Sequence, residues 1–484
     1  MTDTADRPRT ASETTPLIPA RASKKPKTPL PKLQMGILMM LQVTEPIASM
    51  SIFPYINQLI IELGITGGDE AAVGYYAGIL ESLFFVMQAL TVLKWSRLSD
   101  HIGRKPVLSI GLLGTCVSML CFGLSYDLLE SCREPLHSTN MAQGFALMPI
   151  SWKIGTVVGP LIGGMLARPQ DSWPGLFANS FWRKYPYFLP CGVAAYFVVV
   201  AYLMLLFFLE ETLSTKRRQK LTSTTLGVPS RSDIDDGEVL AQKVMADMPM
   251  RSLLTPTIVI PIANYAMLSF LDISLRTLMP LFFSTPMYLG GLGFSPSYIG
   301  SWLALFGLAE GVFQALFFAK IVDWLGPKRL FCVSASCFAP VMLMFPIMSW
   351  LVHTRGIVDY AVTFALLGQL VLTVIWSMVY GARYDETDLS SQVTNFIIII
   401  ATSFMFITAS APAKNVLGVI NGLAQTSSSV ARAVGPALAT SLFAFSTEHN
   451  LLNGNVVFVL LIMLAGVQSW LASQLPDELQ DRDE

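Results

Sequence analysis

The sequence predicts an all-α membrane protein made of two pseudo-symmetric helical bundles, and three observations predict it. The 484-residue chain is 53% hydrophobic and only 13% charged, too apolar for one or two soluble domains. Its apolar residues gather in runs close to the ~20 that a bilayer crossing needs. A short charged motif that follows the second run of the first half recurs after the second run of the second half, which marks an internal repeat. A net charge of −1 excludes a strongly basic nucleic-acid binder. The six cysteines are scattered, with no C-x-x-C and no paired-histidine spacing, so no disulfide framework, metal site or cofactor is expected.

Residues 1–32 are polar, proline-rich and basic (Arg7, Arg9, Arg21, Lys24, Lys25, Lys27, Lys32), which predicts a disordered cytoplasmic tail. The first bundle, 33–209, holds five apolar runs near 33–63, 73–93, 107–124, 141–166 and 185–208. A polar stretch over 210–251 follows, basic at Lys216, Arg217, Arg218 and Lys220 and acidic at Asp233, Asp235, Asp236 and Glu238; it reads as a cytoplasmic linker. The second bundle, 252–473, holds seven runs near 258–283, 298–319, 330–350, 362–380, 393–409, 417–445 and 456–471, and 474–484 is an acidic tail. Basic clusters belong on the cytoplasmic side, so an even number of crossings must separate any two of them. Two runs separate the tail from the Arg97–Lys105 cluster, as required, but only three separate that cluster from the linker. One crossing is missing from the first half.

The charged motif is Ser96-Arg97-Leu98-Ser99-Asp100-His101-Ile102-Gly103-Arg104-Lys105, and its echo is Asp323-Trp324-Leu325-Gly326-Pro327-Lys328-Arg329. A carboxylate, a glycine turn and a basic pair suit a tight cytoplasmic loop in which the acid faces a helix end and the cations stay in water. In the fourth run, Gly155, Gly159, Gly163 and Gly164 with Pro160 fall within ten residues. Such glycines let helices approach closely, and proline bends the axis. Arg432-Ala433-Val434-Gly435-Pro436 echoes this string in the second half.

These motifs resemble those of the major facilitator superfamily. Asp100, Gly103, Arg104 and Lys105 match its loop motif, with Ser96 where the family has glycine and His101 where it has arginine. The resemblance implies that this loop and its echo at Asp323, Gly326, Lys328 and Arg329 latch the two bundles in one access state. The glycine string is similar to the fifth-helix motif of proton-driven antiporters of the family. With Thr44-Glu45-Pro46 and Phe53-Pro54-Tyr55-Ile56, the nearest branch looks like the fungal and plant relatives of the zinc-induced facilitators. Zinc itself is not implied.

The repeat also measures the missing crossing. Asp100 and Pro160 are 60 residues apart, Asp323 and Pro436 are 113 apart, and three helices with short connections should give roughly 75 to 90. Residues 125–140 stand where a fourth helix should be and are too short and polar to span, so the first bundle is expected to lack its fourth helix. Conversely, 382–400 reads as an insertion.

Carboxylates near mid-helix cost about 3 kcal/mol each on insertion scales, so Glu45, Glu81, Asp272 and Glu310 are functional candidates. Arg276, four residues after Asp272, shares its helix face and can neutralise it. Glu81 and Glu310 have no cation close in sequence and are the better proton carriers, while Lys153 lies in the fifth-helix region. No histidine lies mid-span. Asn264, Gln88, Gln314, Gln369, Asn421 and Gln425 can hydrogen-bond a substrate or serve as polar packing.

The expected function is a secondary transporter moving a small organic solute by alternating access, with proton-coupled export. The alternatives are a transport-inactive truncated form and a membrane sensor. An enzyme is not expected, because histidine clusters, an H-E-x-x-H helix and a nucleophile elbow are all lacking. The partners are the bilayer, the solute and the proton. The pattern Glu13-Thr14-Thr15-Pro16-Leu17-Ile18 adds sorting adaptors, which read an acid followed by an aliphatic pair on cargo bound for the vacuole or lysosome. It predicts residence in the vacuolar membrane, with the plasma membrane as the default without it. Leu17→Ala with Ile18→Ala should move a fluorescent fusion to the cell surface; an unchanged distribution under the microscope would reduce the motif to coincidence.

Overall fold

The computed structural model describes residues 32–102, 104–124, 148–208, 255–380, 407 and 417–475. The first half contributes α1 (Lys32–Ile52), α2 (Val73–Ile102), α3 (Arg104–Leu124), α4 (Met148–Leu166) and α5 (Phe188–Phe208). The second contributes α6 (Pro256–Ser284), α7 (Pro296–Leu325), α8 (Lys328–Arg355, interrupted at Cys337), α9 (Tyr360–Ser377), α10 (Leu417–Glu448) and α11 (Val456–Ser473). Among the described residues, seven helices are long and apolar enough to cross a bilayer: α3, α5, α6, α7, α8, α9 extended to Tyr380, and α11. The other four long helices, α1, α2, α4 and α10, carry Glu45, Glu81, Lys153 and Arg432 and most of the motif glycines.

Sequence and structure differ at several element boundaries. The first apolar run is two helices, because Pro54 cannot supply the N–H that a continuous helix needs; the chain turns over 53–55 and resumes as a short helix, Ile56–Glu62. The expected tail, linker and acidic tail, the residues in place of a fourth helix, and the run 393–409 apart from Ile407 all lie outside the described residues.

Helix directions follow from close contacts. Gly155, Gly159 and Gly163 of α4 face Pro46, Ile47 with Met50, and Ser51 of α1 in that order, so α1 and α4 run parallel. Helix α2 reverses the direction of α1, and α3 reverses it again. Helices α3 and α4 therefore point the same way. Tyr380 donates a hydrogen bond to the Leu268 carbonyl, and Ile407 is buried among Ile258, Ile262, Tyr265, Ile420 and Ala424.

The packing repeats between halves. Helix α1 lies on α4 as α6 lies on α10, and α3 on α5 as α8 on α11. Two seams join the halves: α4 with α7, and α2 with α10. The second bundle is held by a ring cluster in which Phe345 stacks on Phe458 at 4.9 Å and meets Phe282 edge-on at 5.1 Å. Ile60, Val73 and Ala77 of the first half are buried in the same cluster. The first bundle has a smaller core around Tyr55, Met119, Tyr187 and Cys191. Asp359 caps α9 by accepting from the N–H groups of Ala361 and Val362; its hydrogen bond from Arg355 and these N–H groups hold its carboxyl below the usual range.

The glycine face of α4 sets a steric limit. A methyl group at Gly159 would stand 2.7 Å from the Met50 Cβ, and one at Gly163 would overlap the Ser51 carbonyl. Gly163→Ala is therefore expected to destabilise the protein by about 1–3 kcal/mol, the range for overpacking. Gly422→Ala in α10 meets nothing within 4 Å and should be neutral or mildly stabilising. Thermal unfolding in detergent micelles compares the two; equal midpoints would mean that α1 and α4 give way.

Candidate functional site

The ionisable residues expected within the spans converge on the two seams. Lys153 of α4 donates to a Glu310 Oε of α7 at 2.5 Å, joining the two halves. Glu310, which has no cation close in sequence, thus receives one from the opposite bundle. Arg276 Nε donates to Asp272 at 2.9 Å, the neutralising pair expected from their spacing. The same guanidinium is within electrostatic reach of Glu310 and of Tyr380. Glu81 of α2 crosses the other way, lying near Thr277 and Arg276 of α6, where the Thr277 hydroxyl donates to the Ile273 carbonyl of its own helix at 2.7 Å. Glu45 of α1 has no ion-pair partner among the described residues, and its backbone carbonyl accepts from Ser49. Arg432 of α10 faces Tyr380, which also neighbours Asp272 and Arg276. Glu81, Asp272 and Glu310 from α2, α6 and α7 therefore share Lys153 and Arg276, with Arg432 beside Tyr380, while Glu45 of α1 stands apart from these cations. Because Lys153, Asp272 and Arg276 keep 17–24% of their side chains exposed, this network is open to solvent or solute.

Backbone contacts hold this network in place. On the α4–α7 seam Gly164 turns away from α1, and a methyl group there would stand 2.8 Å from the Gly300 Cα. A methyl at Gly307 would stand 2.8 Å from the Thr156 carbonyl, and the Ser297 hydroxyl donates to the Gly164 carbonyl at 3.2 Å. On the α2–α10 seam, a methyl at Gly78 would stand 2.9 Å from the Pro436 carbonyl, and the Ala437 N–H donates to Ser82 Oγ at 2.9 Å. The motif glycines thus divide: Gly155, Gly159 and Gly163 build the first bundle, and Gly164 builds the junction. Gly435 is the counterpart of Gly159, since a methyl there would stand 2.6 Å from Ile273 of α6. Sequence reasoning missed Gly74, Gly78, Gly300, Gly307 and Ser82; the four- and seven-residue glycine spacings in α2 and α7 were the available signal.

Both copies of the loop motif join consecutive helices. Asp100 lies in the last turn of α2 and Arg104 opens α3, while Gly103 and the side chains of Asp100 and Arg104 lie outside the described residues. Lys105 Nζ donates to the Leu206 carbonyl at 3.0 Å, so it caps the last turn of α5 within its own bundle. In the second copy Asp323 ends α7, Lys328 and Arg329 open α8, and Gly326 between them has φ of 78°, a conformation that strains any side chain. Glu13, Leu17 and Ile18 lie outside the described residues.

Of the neutral polar candidates, Asn264 is structural: its amide donates to the Leu471 carbonyl at 3.0 Å and its oxygen accepts from Gln468 at 3.3 Å, tying α6 to α11. Gln314 donates to the Ser377 carbonyl at 3.0 Å. Gln369 is fully buried with neither amide atom partnered among the described residues. No group of three His, Cys, Asp or Glu that could hold a metal occurs among the described residues.

With this geometry in view, the comparisons are concordant. The family described as Major Facilitator Superfamily matches residues 136–436. The chain is 31% identical to the major facilitator-type transporter psiT2 of Psilocybe cyanescens, over 92% of this chain and 90% of that one. It is 28% identical to the efflux pump azaK of Aspergillus niger, over 97% and 96%. It is also 28% identical to the protein Zinc Induced Facilitator-like 1 of Arabidopsis thaliana, over 86% of each. The crystal structure of the human organic anion transporter MFSD10 (TETRAN) shares the fold at a TM-score of 0.55, with 16% identity over 92% of this chain and 100% of that one. With two echoing seams, a repeated loop motif and full-length relatives, this chain belongs to the Major Facilitator Superfamily.

Proposed function

We propose that this transporter exports a small organic solute in exchange for protons, and that Glu81 carries the exchangeable proton. The observation that supports the reading is the arrangement of charge along the seams. Lys153 is committed to Glu310 and Arg276 to Asp272, whereas Glu81 forms no ion pair among the described residues and has Arg276 only at longer range. A carboxylate in this setting can take up a proton without stranding a buried cation. Protonating Glu310 would leave the Lys153 ammonium without its counter-charge, so Glu310 serves as a tie between halves as much as a carrier. Glu45 shares the unpaired character of Glu81 and is the second carrier candidate.

Protonation also changes mechanics. An ionised Glu81 is attracted to Arg276 of α6, which helps to hold α2 against the second half. A protonated Glu81 loses that attraction. Proton occupancy at one residue thereby alters how firmly the halves are joined. The glycine string of α4, similar to that of antiporters, and the efflux pump among the relatives favour exchange and export over uptake.

Transport of a panel of radiolabelled organic amines, anions and zwitterions in proteoliposomes, with and without a pH gradient, tests the reading. At least one class should move faster with the gradient. Glu81→Gln, which keeps the shape but cannot titrate, should abolish that stimulation while leaving gradient-independent exchange within about threefold. Gradient dependence that survives in both Glu81→Gln and Glu45→Gln would remove these residues as carriers. Movement of no solute under any condition would overturn the transport reading.

A further inference from the structure

The end of the molecule where α1 stops and α2 starts is closed by a device outside the charge network of the seams. Tyr75 of α2 donates a hydrogen bond to Glu448, the last residue of α10, at 3.3 Å. Tyr288, in the turn between α6 and α7, donates to Glu70, just before α2, at 2.6 Å. Each bond joins the two halves, and the roles are exchanged: the first half gives a phenol at one and a carboxylate at the other, and the second half does the reverse. Below them the seam is tight and apolar. A methyl group at Gly74 would stand 2.8 Å from the Thr440 carbonyl and 3.2 Å from the Ala444 Cβ, and Val73 and Ala77 are buried against Leu281, Phe282 and Phe443.

We propose that Tyr75, Glu448, Tyr288 and Glu70 form a reciprocal clamp whose two bonds must break before this end can open. Opening moves α2 away from α10 and the 285–295 turn away from residues 64–72, and a hydrogen bond does not survive separation beyond ~3.5 Å. The bonds lie at the surface, where water can replace each partner, so the clamp releases without stranding a buried charge. They are charge-assisted, which makes them stronger than bonds between neutral groups. The other titratable groups facing them are Asp69, which lies near both tyrosines and whose carboxylate accepts from the Ala71 N–H at 2.9 Å, and His449, whose ring lies over Phe445. The proposal adds gating residues at the end opposite the loop motifs and is independent of which residue carries the proton.

Thiol accessibility tests it without a substrate. In full-length protein with its native cysteines replaced, Thr440→Cys places a reporter under the clamp, and Ala444→Cys places a second one. Labelling of either by a membrane-impermeant maleimide, applied from the side of the clamp, reports how often that end opens. Tyr75→Phe with Tyr288→Phe should raise the labelling rate at least about threefold while lowering the thermal midpoint only slightly, as expected for losing two surface bonds whose partners water can take. Glu448→Gln, which weakens the bond by removing its charge, added to Tyr75→Phe, which removes the bond, should raise it no further than Tyr75→Phe alone, because both act on one bond. Unchanged labelling in the double phenylalanine variant at both reporters, or fully additive effects of Tyr75→Phe and Glu448→Gln, would overturn the clamp.

Discussion

The structure depends on how closely the backbone of α4 approaches its neighbours on two faces. One face, Gly155, Gly159 and Gly163 at spacings of four, lies on α1. The adjacent position, Gly164, lies on Gly300 of α7. Without a hydrophobic driving force between helices in lipid, dispersion contact of this kind and a few polar bonds are what association rests on. The approach also brings Lys153 within 2.5 Å of Glu310. A bulkier α4 would push α1 outward on one side and separate the charges on the other.

The two seams repeat one solution. Gly78 faces the carbonyl of Pro436 as Gly300 faces that of Pro160, so a glycine of the second helix of one half meets the bend of the fifth-type helix of the other. What differs is the polar content. The α4–α7 seam holds a full ion pair, whereas the α2–α10 seam holds a serine bonded to a backbone N–H. The two junctions therefore respond differently to charge, although their sterics match.

Much of this was legible in the sequence. Apolar runs located eleven long helices among the described residues, because a bilayer imposes a length that periodicity alone does not, although the first run passed the end of α1 at Ile52 and the second stopped short of the end of α2 at Ile102. The helix break at Pro54, the turn at Gly326 and the pairing of Asp272 with Arg276 are local and could be read from neighbours in the chain. The partner of Glu310 could not. Lys153 is 157 positions away, and only the internal repeat placed α4 and α7 in opposite halves without saying that they touch. Tyr75 and Tyr288 likewise carry no sequence signal, since a tyrosine near a span end reads as an interfacial anchor.

The Lys153–Glu310 pair has a consequence for the kinetics of any motion that parts α4 from α7. The side chains keep 18% and 9% of their surface exposed, so most of their hydration has already been given up in exchange for each other. Pulling them apart into a dry gap would cost several kcal/mol per ion, far more than the glycine contacts alongside could return. Such a gap cannot open empty. It opens only as fast as something polar enters, either water or a passenger bearing complementary charge, so wetting of the crevice becomes part of the reaction coordinate and the contents of the crevice help set the switching rate.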